Sequence, residues 1–182
     1  MAKLVSKVYG DALFETAMEI NKVDALYEEA AALVTILNDN PDLGVLLNSP
    51  KVVKEEKVAI MDQIFSKKVE KELMGFLTII VEKDRQNDLI PIFEYFIARV
   101  KEYKKIGSVS VTSAVELKAD QKKRLEEKLL ATTHYVELEM HYQVDADLIG
   151  GMVIRIGDHV VDSSIKTRLY ELKKDLSKLQ LA

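Results

Sequence analysis

Apolar positions along this chain fall into two regimes. Up to about residue 105 they recur every three or four positions, the spacing of a helix face. Beyond that point they alternate, the spacing of a half-buried strand. Leu4, Val5, Val8, Ala12, Leu13, Ala17 and Ile20 predict a first helix. Leu26, Tyr27, Ala30, Leu33, Val34 and Leu37 predict a second, with Asp24 as its cap. Asn40-Pro41 ends it, and Pro41 suits the first turn of a short third helix through Leu47. After Ser49-Pro50, Val58, Met61, Ile64 and Phe65 mark a fourth. The fifth is predicted from roughly Val69 to Glu82. Asp88 caps a sixth, which tolerates Pro91 in its first turn and carries Leu89, Ile92, Phe93, Phe96, Ile97, Val100 and Tyr103. Short amphipathic helices bury their stripes only on one another, so a six-helix bundle over 1–105 is expected.

The periodicity changes at Lys104-Lys105-Ile106-Gly107. Val109 and Val111 alternate with Ser and Thr, and a helix with Leu125 and Leu129 follows, Asp120 near its start. Val136, Leu138, Met140, Tyr142 and Val144 then alternate with polar residues. Met152, Ile154 and Ile156 predict another strand, Gly157-Asp158 a hairpin turn, and His159 to Val161 a short return strand. Asp162-Ser163-Ser164 supplies capping oxygens to a last helix with Leu169, Leu172, Leu176 and Leu179. Gly150-Gly151 signals a bulge or a close backbone approach, and Met152, Ile154 and Ile156 are expected to meet the last helix. The expectation for 106–182 is a small α+β domain, making two domains in all.

The fifth helix is apolar over an unusual width. Leu73, Met74, Phe76, Leu77, Ile79, Ile80 and Val81 cover an arc of about 220° at 100° per residue. One reading is a central helix enclosed by its own bundle. The other is two buried faces, one of them turned to a partner helix. The first helix is also broad, because Tyr9 and Leu13 lie off its main stripe.

Composition narrows the function. The 182 residues are 48% apolar, enough for a sizeable core, and carry a net charge of −4, which argues against nucleic acid as a partner. Cysteine is absent, which removes disulfides and thiolate metal sites. No apolar run approaches the roughly 20 residues of a membrane span, and the N-terminus lacks a signal-peptide core. A soluble chain is expected, reaching a membrane only through a partner.

Catalytic motifs fail on inspection. Gly157 to Thr167 ends in Lys166-Thr167 like a phosphate loop, but Ile165 and Val160 stand where that motif needs glycine. Ser163 and Ser164 at a helix start fit an anion site less well than simple capping. His134, His141 and His159 have no metal-ligand spacing, and His134 and His141 are expected on opposite faces of a strand. Asp145 and Asp147 read as turn residues. No Gly-x-Ser-x-Gly elbow occurs. The basic residues of the last helix, Lys166, Arg168, Lys173, Lys174 and Lys178, complement its dipole, or face an acidic helix or anionic lipid.

Two stretches resemble a known family. Leu148 to Leu169 runs Leu-Ile-Gly-Gly, an apolar strand with Arg155, Ile-Gly-Asp, an apolar pair, Asp162, Ser and Ser164 before a helix. Tyr9-Gly-Asp-Ala-Leu-Phe-Glu-Thr-Ala17 is similar to an N-terminal Tyr-Ala-x-Ala-Leu-Phe-x-x-Ala, with Gly10 in place of alanine. Both patterns are those of the delta subunits of F-type ATP synthases, relatives of the oligomycin-sensitivity-conferring protein. The resemblance implies a non-catalytic stator subunit without cofactor or metal, supporting proton-coupled ATP synthesis. It implies an alpha-subunit N-terminal helix in a groove between the first and fifth helices, assigned to Tyr9, Ala12, Leu13, Phe76, Ile79 and Ile80. It also implies b-type peripheral stalk subunits on the C-terminal domain. The signature residues are Gly150, Gly151, Arg155, Gly157, Asp158, Asp162 and Ser164. The implied location is peripheral, on the cytoplasmic face of a bacterial plasma membrane or the equivalent organelle face. Two other readings stand beside it: a small anion- or nucleotide-binding domain around Gly157–Thr167, and an unrelated adaptor with a helical groove.

Overall fold

The computed structural model of the chain describes residues 2–49, 51–65 and 69–179. The chain divides into two compact units, residues 1–101 and 102–182. It is helical, with a small four-stranded mixed sheet in the second unit.

The helices are α1 (Ala2–Glu19), α2 (Val23–Asp39), α3 (Pro41–Asn48), α4 (Lys54–Phe65), α5 (Lys71–Glu82) and α6 (Leu89–Lys104), the last preceded by a 3₁₀ turn at Gln86–Asp88. Several of their ends follow from local chemistry. At the end of α1, Asn21 takes φ 55° while the Lys22 N–H reaches back to the Ala17 carbonyl. At the end of α5, Asp84 does the same, with the Arg85 N–H on the Ile80 carbonyl. Asn and Asp tolerate this left-handed turn better than most residues, and it satisfies carbonyls that a helix end leaves open. Pro41 opens α3, as its fixed φ favours. Asp24 does not cap α2: Lys22 holds the cap position without a side-chain capping bond, and Asp24 lies in the first turn. There it still complements the helix dipole. The start of α5 is Lys71 rather than Val69, and the Glu70 N–H before it donates to the Glu29 carboxylate of α2 at 3.0 Å. Lys22 joins this junction through a 2.8 Å ion pair with Glu70, whose hydrogen bond raises the lysine pKa.

One core serves the helical unit. Leu26, Leu33, Leu47, Met61, Phe65, Leu73, Leu77, Ile92, Phe93 and Phe96 are fully buried in it. Each such side chain contributes about 1.5–3 kcal/mol of burial. The inner face of α1 is a correction to the sequence reading. Its buried positions are Ser6, Gly10, Leu13 and Ala17, whereas Leu4 is 69% and Val8 59% exposed. The small residues Ser6, Gly10 and Ala17, four and seven positions apart, let α1 lie close to its neighbours, and the Leu4–Val8–Ala12 stripe turns outward.

In the second unit, β1 (Ile106–Ser113), α7 (Ala119–Thr132), β2 (Glu137–Val144), β3 (Met152–Ile156), β4 (His159–Asp162) and α8 (Ile165–Leu179) follow in order. The strand order is β2-β1-β3-β4, with β1 and β2 parallel and the other pairs antiparallel. The register places Val109 beside Met140 and Ile156, and Val111 beside Tyr142 and Ile154. These residues share one face, and Leu117, Leu125, Leu129 and Leu130 of the α7 region pack against it. The opposite face carries Ser108, Ser110, Thr112, His141 and Arg155, with Val153 and Val160 among them, a mostly polar surface. The expected meeting of Met152, Ile154 and Ile156 with the last helix is therefore corrected. Ile154 and Ile156 join the α7 cluster, which among the described residues includes none of α8. A parallel β1–α7–β2 crossover has to lay its helix on one face, and that face is the apolar one. Val136, expected at the head of β2, lies before the strand and is 73% exposed.

Candidate partner-binding surfaces

The first candidate surface is built on α1 and α5. The Tyr9 ring meets Phe76 edge-on, with centroids 6.4 Å apart. Phe76 in turn tilts against Phe93 of α6 at 6.0 Å. This aromatic run fixes where the two helices touch. Ala12 lies one turn beyond Tyr9, and Ile79 one turn beyond Phe76, so both flank the contact. Ala12 is exposed and Ile79 is 49% exposed. Gly75, on the outer side of α5, has open space where a Cβ would stand. Of the other assigned groove residues, Leu13 and Ile80 are buried in the unit's own core. The exposed Leu4 and Val8 extend the Ala12 stripe along α1. Their spacing of four was visible in the sequence. The missing signal was the small-residue face at Ser6, Gly10 and Ala17, which claims the inside.

The other side of α1 is pinned to α6. The Tyr95 hydroxyl donates to Asp11 Oδ1 at 3.0 Å, Arg99 Nε lies 3.8 Å from the same oxygen, and the Arg99 guanidinium sits 5.6 Å over the Phe14 ring. The helix that presents Leu4, Val8 and Ala12 is thereby held from both sides.

The second candidate surface surrounds the signature. After β2, the Asp145 carboxylate accepts the Asp147 N–H at 3.0 Å, the turn role expected of it. Ile149 follows at φ 66°, then Gly151 at φ 78°. A Cβ on Gly151 would overlap the Ser163 carbonyl, and one on Gly150 would stand 2.6 Å from Ile165 Cδ1. The Ile165 N–H donates to the Gly150 carbonyl and the Ser163 N–H to the Met152 carbonyl, both at 2.9 Å. The glycine pair is thus the close approach at which β3 meets the start of α8. Gly157, at φ 55°, makes the β3–β4 turn with Asp158. Arg155 is exposed on the polar sheet face.

At the start of α8, Asp162 Oδ1 accepts the Ser164 N–H at 2.8 Å and Asp162 Oδ2 the Thr167 hydroxyl at 2.7 Å. The buried Ser164 hydroxyl accepts the Thr167 N–H at 3.2 Å. The backbone hydrogen bond from Ser164, aided by Thr167, holds the Asp162 pKa below its ordinary 3.8. A helix start already filled by its own carboxylate and hydroxyl is a cap, not an anion cradle. His134 stacks on Tyr135 at 4.7 Å and precedes β2 rather than lying on it, so the expected opposition with His141 across one strand does not arise. His134 and His159 line one cavity of about 260 Å³ with Thr132, Thr133, Tyr135 and Ile156. Among the described residues no group of three or more His, Asp or Glu is placed to hold a metal ion. Among them, too, no helix is long and apolar enough to cross a membrane.

Comparison with known proteins agrees along the whole chain. Residues 5–176 match the family described as ATP synthase delta (OSCP) subunit. An ATP synthase subunit delta from Lachnoclostridium phytofermentans is 51% identical over 181 residues, covering 100% of both chains. One from Alkaliphilus oremlandii is 36% identical over 180 residues, covering 98% of this chain and 99% of its own. A chain in the Toxoplasma gondii mitochondrial ATP synthase hexamer shares the fold, with a TM-score of 0.75 at 20% identity over 94% of this chain and 96% of its own. The chain belongs to the ATP synthase delta (OSCP) subunit family, the stator component of F-type ATP synthases, and its role is structural rather than catalytic.

Proposed function

We propose that helices α1–α6 act as one six-helix bundle that holds the N-terminal helix of an alpha subunit. In this reading 1–105 and 106–182 are separate domains, and the second holds the b-type subunits of the peripheral stalk. The chain then sits peripherally at the cytoplasmic face of the membrane, attached only through the complex. Such a joint resists the torque of a rotating shaft, and it needs two strong static contacts rather than a reactive pocket.

The observation that carries the reading is the exposed apolar strip beside the Tyr9–Phe76 contact. Leu4, Val8 and Ala12 on one helix and Ile79 on the next offer the surplus face that helix-in-groove binding requires. Calorimetric titration of the full chain with an alpha-subunit N-terminal peptide tests it. Val8→Glu and Ile79→Glu are each expected to weaken binding by about tenfold or more, because they set an unpaired charge in the groove. Unchanged affinity in both variants, with unchanged melting, shows that the groove lies elsewhere.

A further inference from the structure

We propose that the outer stripe of α8 is one half of a coiled-coil seam whose partner is an amphipathic helix with acidic flanks. This deepens the stalk-holding reading of the C-terminal domain and rests on it. Ile165, Leu169, Leu172 and Leu176 are spaced by four, three and four, a heptad pattern that the sequence continues at Leu179. Leu169, Leu172 and Leu176 are uncovered, at 51%, 59% and 64% exposure, and Ile165, whose Cδ1 lies against Gly150, is 43% exposed. The stripe is narrow, about 60° wide on the helix, which suits a single helix. A lipid-facing helix wants a broader face with bulky anchors, and Tyr170 points well away from the stripe.

The flanking charges select the partner. With Leu169 and Leu176 at a positions and Leu172 at d, Lys166 and Lys173 fall at e and Arg168 and Asp175 at g. Two parallel copies of α8 would set Arg168 of one against Lys173 of the other. Two antiparallel copies would set lysine against lysine along the e edge. A second parallel copy is thus opposed by charge. An antiparallel one gains nothing net, because Arg168 facing Asp175 along the g edge offsets the lysine edge. Glutamates on a partner's e and g edges instead pair with Lys166, Lys173 and Arg168, three of the four flanking charges, with Asp175 the exception.

The test uses the full chain and two synthetic heptad peptides with leucine at a and d, one with glutamate and one with lysine at e and g. Fluorescence anisotropy should show binding of the glutamate peptide only. The paired change Lys166→Glu with Lys173→Glu should transfer binding to the lysine peptide. Leu172→Asn, at an exposed position, should leave melting unchanged and weaken the glutamate peptide by about tenfold or more, because it places an amide in the seam. Equal binding of both peptides, binding of neither, or indifference to these changes overturns the seam. Sedimentation with phosphatidylserine vesicles, without peptide binding, also overturns it and assigns the stripe to a membrane surface. Pull-down of a b-type stalk subunit separates the two levels. If wild type and Leu172→Asn capture it equally, the seam fails and the stalk reading stands. If wild type captures none, the stalk reading itself fails.

Discussion

The Tyr95 ring of α6 lies directly on Gly10 of α1, so close that a Cβ at position 10 would overlap Tyr95 Cδ1. The same tyrosine reaches past Gly10 to donate its hydroxyl to Asp11. The missing side chain at Gly10 leaves the room that the Tyr95 ring fills. Gly10→Ala is expected to cost about 1–3 kcal/mol by overpacking, more than the roughly 1 kcal/mol that alanine returns in helix propensity. In a Tyr95→Leu background the same change should cost at least about 1 kcal/mol less, as coupled neighbours do. A double-mutant cycle by denaturant unfolding measures this. Additive effects would show that the contact does not constrain α1.

The reversed faces of α1 give a second prediction. Leu13→Ala should destabilise the protein by about 2–5 kcal/mol, the range for a buried leucine. Val8→Ala should stay within about 0.5 kcal/mol, as exposed substitutions do. Equal losses in thermal unfolding would return Val8 to the core.

Gly151 has both a positive φ and the Ser163 carbonyl where its Cβ would be. Gly151→Val is expected to cost about 1–2 kcal/mol in backbone strain and about 1–3 kcal/mol in overpacking. Unfolding of the segment 102–182 and capture of a stalk subunit should both suffer, while alpha-peptide binding by the helical unit is spared. Wild-type melting together with wild-type stalk capture would remove the glycine from any structural role.

Ile149 behaves in the opposite way. A β-branched residue at φ 66° is strained, and this one is 63% exposed, so it returns little burial. Ile149→Gly should raise stability by about 1 kcal/mol. If it also weakens stalk capture, the strain serves to present an apolar side chain. A drop in melting temperature would refute the strain.

Asp162 supplies a pH dependence of definite sign. Its pKa is depressed in the folded chain, so its cap stabilises above the ordinary 3.8 and is lost as pH falls through that value toward the lower folded one. Melting of the wild type should fall more steeply below pH 3.8 than melting of Asp162→Asn, which has no such proton to take up. Parallel curves would mean that the cap contributes nothing.

The C-terminal turns were legible because their chemistry is local. Gly157, Asp145, Asp162 and Ser164 each act on backbone groups within a few residues, so the sequence neighbourhood contains the whole interaction. The inside of α1 was not legible by hydrophobicity, because the choice between Val8 and Ala17 depends on how closely α6 approaches, and Tyr95 sets that from far along the chain. The place of α8 failed for a related reason. Its leucines look like a core stripe, but the apolar sheet face was already taken by α7. Periodicity reports that a face is apolar, not whether the cover comes from the same chain.

The first turn of α8 is clamped, with Ser164 buried, Ile165 bonded to Gly150 and Ser163 bonded to Met152, while Leu169, Leu172 and Leu176 beyond it are exposed. Mechanically, this is a cantilever. Its 15 residues make an arm of about 22 Å. If a partner pulls sideways near Leu176, the lever of about 16 Å from Ile165 turns that pull into a bending moment at the clamped turn. Under such a load the weak point is the Gly150–Ile165 joint rather than the apolar end. Stiffness of the whole attachment is therefore set where two residues without side chains bring a helix and a strand into contact.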